Sequence, residues 1–304
     1  MKRVLVTGAG GFVGREVLRP LTSRGYEIIA TTSSAIRVAD PAVNWVACNL
    51  LDEAESESLI VSTKPTHLLH LAWYTEHGKF WNGPENLAWL AASVRILGSF
   101  VAQGGRRAVV AGSCAEYDWQ STQPCVENST PLRPHTLYGV CKKALFDVAS
   151  AVSVTTGLSF ACGRIFLLHG RNESPGRFVP SLIDSLMTGR AFPMTDGRQR
   201  RDLLHVSDVA DALVALLDSA VAGPVNIGSG VPVRLLDVAT QVARSLDAVQ
   251  LLQPGSIEPR PDDPAELYPD VSRLRDEVGW SPRLSLSEGL DDSVRWWRER
   301  NRAG

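Results

Sequence analysis

The chain has 304 residues, of which 44% are hydrophobic and 21% charged, so it can bury a substantial core and is not disordered as a whole. Its formal net charge of −2 argues against binding to nucleic acid or membranes through bulk positive charge. No apolar run approaches the roughly 20 residues of a membrane span, the amino terminus lacks the apolar core of a signal peptide, and the cysteines form no CxxC pair. We therefore expect a soluble, cytoplasmic, globular protein.

Short β-branched segments alternate with longer amphipathic ones through the first half of the chain. The predicted strands are Arg3–Thr7, Glu27–Thr31, Trp45–Ala47, His67–Leu71, Ala108–Gly112 and Ser159–Arg164. Between them the pattern predicts helices near Val13–Arg24, Glu53–Ser62, Pro84–Ala102 and Leu137–Thr155. The strands are mostly continuous apolar runs, which is typical of strands covered on both faces. This order predicts an α/β fold built on a parallel sheet with crossover helices.

The alternation becomes irregular after Arg164. The sequence predicts a loop, a helix, a turn-rich segment, a second helix and a strand, in that order, at Phe166–Gly176, Phe178–Thr188, Gly189–Gln199, Asp208–Leu217 and Pro224–Gly228. Gln253–Pro269 is rich in proline and acidic residues, so we expect a surface excursion there, followed by a last helix at Leu286–Arg300.

A glycine-rich loop, running from Gly8 through Gly11, Phe12 and Val13 to Gly14, follows the first predicted strand and opens the first helix. Glycines in this context allow the backbone to approach a pyrophosphate held at the helix N-terminus. A tight turn without a ligand is the alternative, but the position between a strand and a helix favours dinucleotide binding.

The residues after the second predicted strand bear on which dinucleotide binds. A carboxylate there would bind the ribose 2′-hydroxyl of NAD, but Thr32, Ser33 and Arg37 come before the first acid, Asp40. Hydroxyls and one arginine suit a 2′-phosphate, so the sequence favours NADP(H). NAD(H) remains the alternative if Arg37 is only a solvated loop residue.

Tyr138 and Lys142 lie four residues apart, on one face of a predicted helix. A lysine cation near a tyrosine lowers the phenol pKa, which allows proton exchange near neutrality. Such a pair often occurs by chance on a surface. Here it follows a glycine loop, and Ser113 ends the fifth predicted strand, where open α/β sheets bind ligands.

Several longer segments carry further patterns. Thr7–Gly14 reads TGxxGxxG, Asn49–Asp52 reads D-L-x-D with Asn for the first Asp, His70–Trp73 is close to H-x-A-A, and Gly112–Tyr117 is close to S-S/T-x-x-x-Y-G, with Asp118 in place of the glycine. Over essentially its full length the chain resembles an extended short-chain dehydrogenase/reductase of the nucleotide-sugar epimerase/dehydratase family.

The second half of the chain also resembles this family. Arg201–Ala210 is similar to its R-D-F/Y-I-x-V-x-D-V/L-A segment, Arg260 lies in a turn similar to R-P-G-D, and Asn226–Gly230 is similar to its N-x-G-S/T-G strand exit. The terminal helix at Asp291–Trp296 also ends in tryptophan, as in the family.

This resemblance implies a Rossmann-type doubly wound parallel sheet with a smaller C-terminal substrate-binding lobe. The dinucleotide-binding domain would comprise residues 1–165, with returning segments at about 201–230, and the substrate lobe residues 166–200 and 231–304. Family members often form homodimers through a four-helix interface, for which Pro84–Ala102 and Leu137–Thr155 are the candidates, although both could equally be ordinary core helices.

The resemblance also implies roles for individual residues. Ser113 would bind the substrate carbonyl, Tyr138 would exchange the proton, and Lys142 would contact the nicotinamide ribose and the phenol. The implied cofactor contacts are Gly8, Gly11, Phe12, Val13, Gly14, Thr32, Ser33, Arg37, Asn49, Leu50, Leu71, Ala72, Trp73, Tyr138 and Lys142. The implied contacts to a nucleotide-diphosphate sugar are Ser113, Cys114, Tyr117, Phe178, Arg201 and Arg260, with both arginines on phosphate. Trp81 and Trp119 would shape the pocket or fill the core, and no residue spacing suggests a metal.

The residues after Ser113 bear on the reaction. Dehydratases of the family place Asp-Glu there, but Cys114 and Ala115 cannot serve as the acid and the base. Family epimerases generally keep the acid after the second strand. We therefore expect an NADPH-dependent ketoreductase acting on a nucleotide-activated 4-keto-6-deoxy sugar. An NAD-dependent 4-epimerase is the first alternative, and a non-catalytic dinucleotide-binding sensor the second.

Overall fold

The computed structural model describes residues 2–33, 41–121, 123–261 and 263–303. The predicted cofactor contact at Arg37 therefore lies outside the described residues. The strands are β1 (Arg3–Thr7), β2 (Glu27–Thr32), β3 (Val43–Ala47), β4 (His67–His70), β5 (Arg107–Ser113), β6 (Ser159–Ile165), β7 (Leu167–His169), β8 (Phe192–Met194), β9 (Arg200–His205), β10 (Gly223–Ile227), β11 (Pro232–Arg234), β12 (Leu252–Pro254) and β13 (Glu266–Leu267). The α-helices are α1 (Phe12–Ser23), α2 (Glu53–Thr63), α3 (Glu85–Ala102), α4 (Leu137–Thr156), α5 (Phe178–Met187), α6 (Val206–Asp218), α7 (Leu235–Ser245) and α8 (Leu286–Ala303).

The larger sheet has seven parallel strands in the order β3-β2-β1-β4-β5-β6-β10. One face is covered by α1 and α6, whose Val17 and Leu213 belong to the same buried cluster. The other face is covered by α2, α3 and α4, which contribute to a second buried cluster that includes Phe100. The strands are buried on both sides, which explains their continuous apolar sequence. The predicted Rossmann-type parallel sheet is confirmed.

The smaller lobe is built from short strands. β9 pairs with β7 and β13 in parallel and with β11 in antiparallel orientation, while β8 pairs with β12. Helices α5, α7 and α8 share a separate hydrophobic core with these strands. Strands of two or three residues carry too little periodicity to be recognised. This explains why the sequence predicts a loop at β7 and a turn-rich segment at β8.

The Gln253–Pro269 segment is only partly the predicted surface excursion. Residues 253–260 are exposed, but β13 pairs with β9 and buries Leu267. The segment therefore returns to the body of the protein.

The pairing of the strands suggests one refinement of the predicted division between the lobes. The predicted returning segment at 201–230 contains β9, which pairs in the smaller sheet, whereas α6 packs on α1 and β10 closes the edge of the larger sheet. We propose that the returning segment begins at Val206.

No helix in the described ranges is both long enough and apolar enough to cross a lipid bilayer.

Candidate active site

A cavity of about 1170 Å³ lies where the larger sheet meets the smaller lobe. Its floor is formed by residues at the carboxyl ends of β1, β4, β5 and β6, and its opposite wall by residues of the smaller lobe. Ligands bind at this edge of open parallel sheets because the strand ends and the helix N-termini converge there. The cavity is therefore the candidate site.

The glycine loop forms one end of the cavity and leaves no space for side chains. Gly8 has a φ of +70°, and a Cβ there would lie 2.8 Å from the backbone nitrogen of Ala72. A Cβ at Gly14 would lie 2.0 Å from the carbonyl oxygen of Gly8. Helix α1 begins after Gly11 without a side-chain cap, so its first N–H groups are available to an anion. This donor set fits the pyrophosphate of a dinucleotide.

Most of the predicted cofactor contacts lie along this cavity. The lining residues include Gly8, Gly11, Phe12, Val13, Gly14, Thr32, Ser33, Leu71, Ala72, Trp73, Tyr138 and Lys142. Asn49 and Leu50 are not brought to it. The Asn49 side chain accepts a hydrogen bond from the backbone of Leu51, and Leu50 is buried in the core beneath α2. Neither residue is among the lining residues of the cavity, so these two contacts stay predictions.

Ser113 is held in place by the short 3₁₀ helix Cys114–Glu116 that follows β5. Its hydroxyl accepts a hydrogen bond from the Ala115 N–H at 3.2 Å, and its own N–H donates to Glu116 Oε1 at 2.8 Å. The other oxygen of Glu116 accepts from the buried Arg164 guanidinium at 2.8 Å. A buried carboxylate with charged and backbone partners holds a fixed position. The serine therefore stands on a rigid support.

The start of α4 brings Tyr138 to Ser113. Thr136 caps the helix by accepting from the Gly139 N–H, and the Tyr138 N–H donates to the carbonyl of Trp81 at 3.0 Å. A Cβ at Gly139 would lie 2.3 Å from the carbonyl oxygen of Ala115. Glycine at this position thus allows the helix to approach the serine support closely.

Lys142 lies one turn further along α4 and is 5% exposed. Its ammonium group donates a hydrogen bond to the carbonyl of Ala111 at 2.8 Å. The same group lies 3.9 Å from the ring centroid of Trp73 and 5.8 Å from that of Tyr138. Burial lowers the pKa of Lys142 to about 8, and the negative charge of Glu116 acts in the opposite direction.

The protonation of Tyr138 differs from the expectation that Lys142 lowers its pKa. Burial raises the pKa of the phenol above the ordinary value, and hydrogen bonding with Ser113 lowers it only in part. A phenol that stays protonated at neutral pH is suited to donate a proton.

Aromatic rings surround Tyr138 on the cavity side. Trp73, Phe80 and Trp81 meet its ring edge to face, with centroid distances of 6.4, 5.0 and 5.8 Å. Trp119 extends this wall from Trp81. Trp81 and Trp119, which could have filled the core instead, therefore both line the cavity.

Two further lining residues, Arg177 and His135, were not predicted from the sequence. The guanidinium of Arg177 lies 5.0 Å from the Phe80 ring centroid, and the His135 ring meets Trp119 at 4.8 Å. Phe178, which was predicted to bind substrate, is not among the lining residues of the cavity; it is half-buried and packs against the core of the smaller lobe, next to Phe192.

Tyr117 also departs from its predicted substrate contact. Its side chain is completely buried, its hydroxyl donates to Asn226 Oδ1 at 2.7 Å, and its ring lies 4.9 Å from the Arg164 guanidinium. These partners fill its hydrogen-bonding capacity away from the cavity, so the structure assigns Tyr117 to the core.

At the far end of the cavity, Arg201 and Arg260 both line the wall. Arg201 is buried, and its guanidinium donates to Asp263 at 2.6 Å and to the carbonyl of Arg200 at 2.8 Å.

Cys114 lines the wall next to Ser113, and burial raises the pKa of its thiol to about 12. Cys114 is therefore a protonated thiol at neutral pH.

Comparison with known proteins agrees with this geometry. A family model described as the NAD dependent epimerase/dehydratase family matches residues 4–228. The chain is 26% identical to UDP-glucuronic acid decarboxylase 1 of Arabidopsis thaliana, covering 98% of this chain and 70% of that protein. It is 27% identical to dTDP-glucose 4,6-dehydratase of Streptomyces niveus, covering 99% of this chain and 94% of that protein. The structure of Thermus thermophilus UDP-glucose 4-epimerase in complex with NAD superposes with a TM-score of 0.85 at 25% identity, covering 97% and 99% of the two chains.

Proposed function

Because the chain belongs to the NAD dependent epimerase/dehydratase family, we propose that it transfers a hydride between a nicotinamide dinucleotide and a carbinol carbon of a nucleotide-diphosphate sugar. The observation that carries this proposal is the meeting of Ser113, Tyr138 and Lys142 on the wall of one cavity whose end is the glycine loop. A bound nicotinamide would supply or accept the hydride. The protein would supply proton transfer, orientation and charge.

The roles of the three side chains follow from their surroundings. Tyr138, whose phenol stays protonated, donates its proton to the oxygen that gains negative charge when a carbonyl is reduced. Ser113 stands beside it on a fixed support and donates a hydrogen bond to the same oxygen. Lys142 places a positive charge behind the phenol, which stabilises the tyrosinate left after proton transfer.

Dehydration is disfavoured by the residues that follow Ser113. Cys114 is a protonated thiol, and Ala115 carries no ionisable group. The nearby Glu116 is fully buried and already accepts hydrogen bonds from Arg164 and from Ser113. No acid–base pair among these residues is therefore placed to remove water from the sugar.

Within this class we propose an NADPH-dependent ketoreductase that reduces C4 of a nucleotide-activated 4-keto-6-deoxy sugar. The hydroxyls of Thr32 and Ser33 at the cavity, together with Arg37 nearby in the sequence, suit a 2′-phosphate. The aromatic wall around Tyr138 favours a sugar that carries a methyl group over one that carries another hydroxyl. Arg201 and Arg260 would bind the diphosphate at the far end.

An NAD-dependent 4-epimerase is the alternative. It is favoured by the similarity to the Thermus thermophilus epimerase, whose structure contains NAD. An epimerase returns the same hydride to the opposite face of the sugar and needs no external reductant, so cofactor turnover separates the two proposals.

The test is a titration of both dinucleotides into the purified protein. If Ser33 and Arg37 bind a 2′-phosphate, NADPH should bind about ten- to a hundredfold more tightly than NADH, because a charge-assisted contact contributes roughly 1.5–3 kcal/mol. Arg37→Ala should remove most of this preference and leave NADH binding nearly unchanged. The protein should then be assayed with a panel of 4-keto nucleotide sugars. With an accepted sugar, one NADPH should be oxidised for each sugar reduced.

Equal affinities for the two dinucleotides, or NAD retained tightly through purification, would contradict the reductase and support the epimerase.

We also propose that the chain forms a homodimer through α3 and α4, where Leu87, Val140 and Val148 are exposed. Light scattering that shows only a monomer at micromolar concentration would contradict this part.

A further inference from the structure

The indole of Trp73 covers the ammonium group of Lys142. The Lys142 Nζ atom lies 3.9 Å from the centroid of the indole, well within the distance of a cation–π interaction. Trp73 is 9% exposed and also lines the cavity, so this contact is shielded from solvent and adjacent to the site. Such contacts are stronger when desolvated.

The orientation of the indole is fixed independently of the lysine. Trp73 Nε1 donates to Asn86 Oδ1 at 2.8 Å, and Asn86 is completely buried. The Asn86 amide in turn donates to the carbonyls of Phe80 and Gly83 at 2.7 and 2.8 Å. Side chains locked by such hydrogen bonds hold their partners more precisely than packing alone. The indole face is thus presented to Lys142 by a built support.

The other groups around Lys142 leave its charge only partly compensated. On β5, the carbonyl of Ala111 accepts one of its hydrogen bonds. Glu116 on the 3₁₀ helix attracts the charge but is already bound to Arg164. On β4, burial keeps His70 neutral by lowering its pKa to about 3, and on β6 burial keeps the Cys162 thiol protonated by raising its pKa. On α4 itself, Tyr138 is protonated as well.

We propose that Trp73 is a positioning residue for the reaction: its indole face holds the Lys142 ammonium group charged and directed towards Tyr138. The position departs from the H-x-A-A pattern, which has alanine there. A small side chain would leave the buried cation without its π partner. The catalytic consequence rests on the proposed function, but the contact itself can be measured without substrate.

The experiment is an NMR titration of protein labelled with ¹³Cε-lysine. Lys142 is one of few lysines, the others being Lys2, Lys64, Lys79 and Lys143, and its signal is assigned with Lys142→Met. In the wild type its pKa is expected at about 8. Trp73→Leu should lower this pKa by about one unit, because the charged lysine loses its contact with the π face of the indole. Trp73→Phe should lower it by less, because a phenyl ring keeps a weaker cation–π contact.

Trp81→Leu is the matched control. Its indole also meets Tyr138 edge to face and lines the cavity, but the rings over Lys142 are those of Trp73 and Tyr138. The Lys142 titration should therefore stay at the wild-type position in Trp81→Leu. A merely structural role of Trp73 would give the same Lys142 pKa in all variants.

The outcomes separate the two proposals. Unchanged Lys142 titration in both folded Trp73 variants, or in Trp73→Phe alone if the leucine variant does not fold, overturns the inference. If the Lys142 pKa falls in the Trp73 variants but the wild type is inactive on every nucleotide sugar, the contact between Trp73 and Lys142 is supported and the proposed function is contradicted. Where activity is found, the pH profile of kcat in Trp73→Leu should move in the same direction as the Lys142 titration.

Discussion

Each of the two lobes buries a glutamate, and the two carboxyl groups are held differently. In the larger lobe, Glu116 is fully buried but accepts hydrogen bonds from Arg164 and from the Ser113 N–H. In the smaller lobe, Glu173 is 7% exposed, and its Oε2 atom has no hydrogen-bond partner among the described residues. Ser113 thus stands on a carboxylate that accepts hydrogen bonds on both of its oxygens, while the proposed substrate contacts stand on shorter and less regular elements. This difference predicts that changes in the larger lobe affect turnover, and that changes in the smaller lobe affect substrate affinity or stability.

The largest expected effect comes from the larger lobe. Tyr138→Phe should lower turnover by about 10²–10⁴-fold, the usual contribution of a positioned general acid, with little change in dinucleotide affinity. The measurement is kcat on any accepted nucleotide sugar together with a dinucleotide titration. Near-wild-type kcat would contradict the assignment of Tyr138.

Tyr117→Phe is the control for this experiment. It removes the same hydroxyl from a tyrosine whose partner is Asn226 in the core rather than a ligand in the cavity. It should cost about 1–3 kcal/mol of unfolding free energy, because the Asn226 oxygen loses its donor, and leave kcat nearly unchanged. A matching loss of turnover in both variants would point to a general loss of structure.

In the smaller lobe, Arg201→Met should raise KM about 10–100-fold while dinucleotide affinity stays at the wild-type value. The buried guanidinium lines the far end of the cavity, and an arginine–phosphate contact contributes roughly 1.5–3 kcal/mol. Arg200→Met is the control, since Arg200 is exposed and its guanidinium contacts Glu266 and the carbonyl of Pro232. If the two variants have the same KM, Arg201 does not bind substrate.

The difference between the long strands of the larger lobe and the short elements of the smaller lobe also determines how much could be predicted from the sequence. In the larger lobe the strands are long, and their topology brings the glycine loop, Ser113 and Tyr138 to one edge of the sheet, so local patterns were enough. β1 begins and ends as predicted, and the other strands and helices of the first half lie within two residues of their predicted bounds.

The parts that could not be predicted depend on contacts between distant segments. Arg201 and Asp263 are 62 positions apart in the chain, and no local periodicity records their pairing. The positions of Arg177 and Phe80 in the cavity likewise follow from the way the smaller lobe packs on the larger. In α7, by contrast, apolar residues recur with helical spacing, and the hydrophobic periodicity of Leu235–Ser245 would have revealed this helix.

The smallest expected effect on activity concerns the buried carboxyl of Glu173 in the smaller lobe. Burial raises the pKa of Glu173 to about 8, and the positive charge of Arg177 offsets this only in part. In the unfolded chain the carboxyl titrates with the ordinary glutamate pKa of 4.5. Between these values the folded state binds more protons than the unfolded state, so this group makes the protein less stable as the pH rises from about 4.5 to 8. Above that window both states are ionised and the loss is complete.

Glu173→Gln keeps the shape of the side chain and removes the charge. It should nearly match the wild type at pH 4.5 and become more stable than the wild type as the pH rises, by roughly 3–5 kcal/mol at pH 8. Urea unfolding at a series of pH values measures the difference, and Glu258→Gln, which changes an exposed residue, should show no such trend. Parallel pH profiles for Glu173→Gln and the wild type would contradict the raised pKa of Glu173 and mean that both oxygens of its carboxyl have polar partners, as those of Glu116 do.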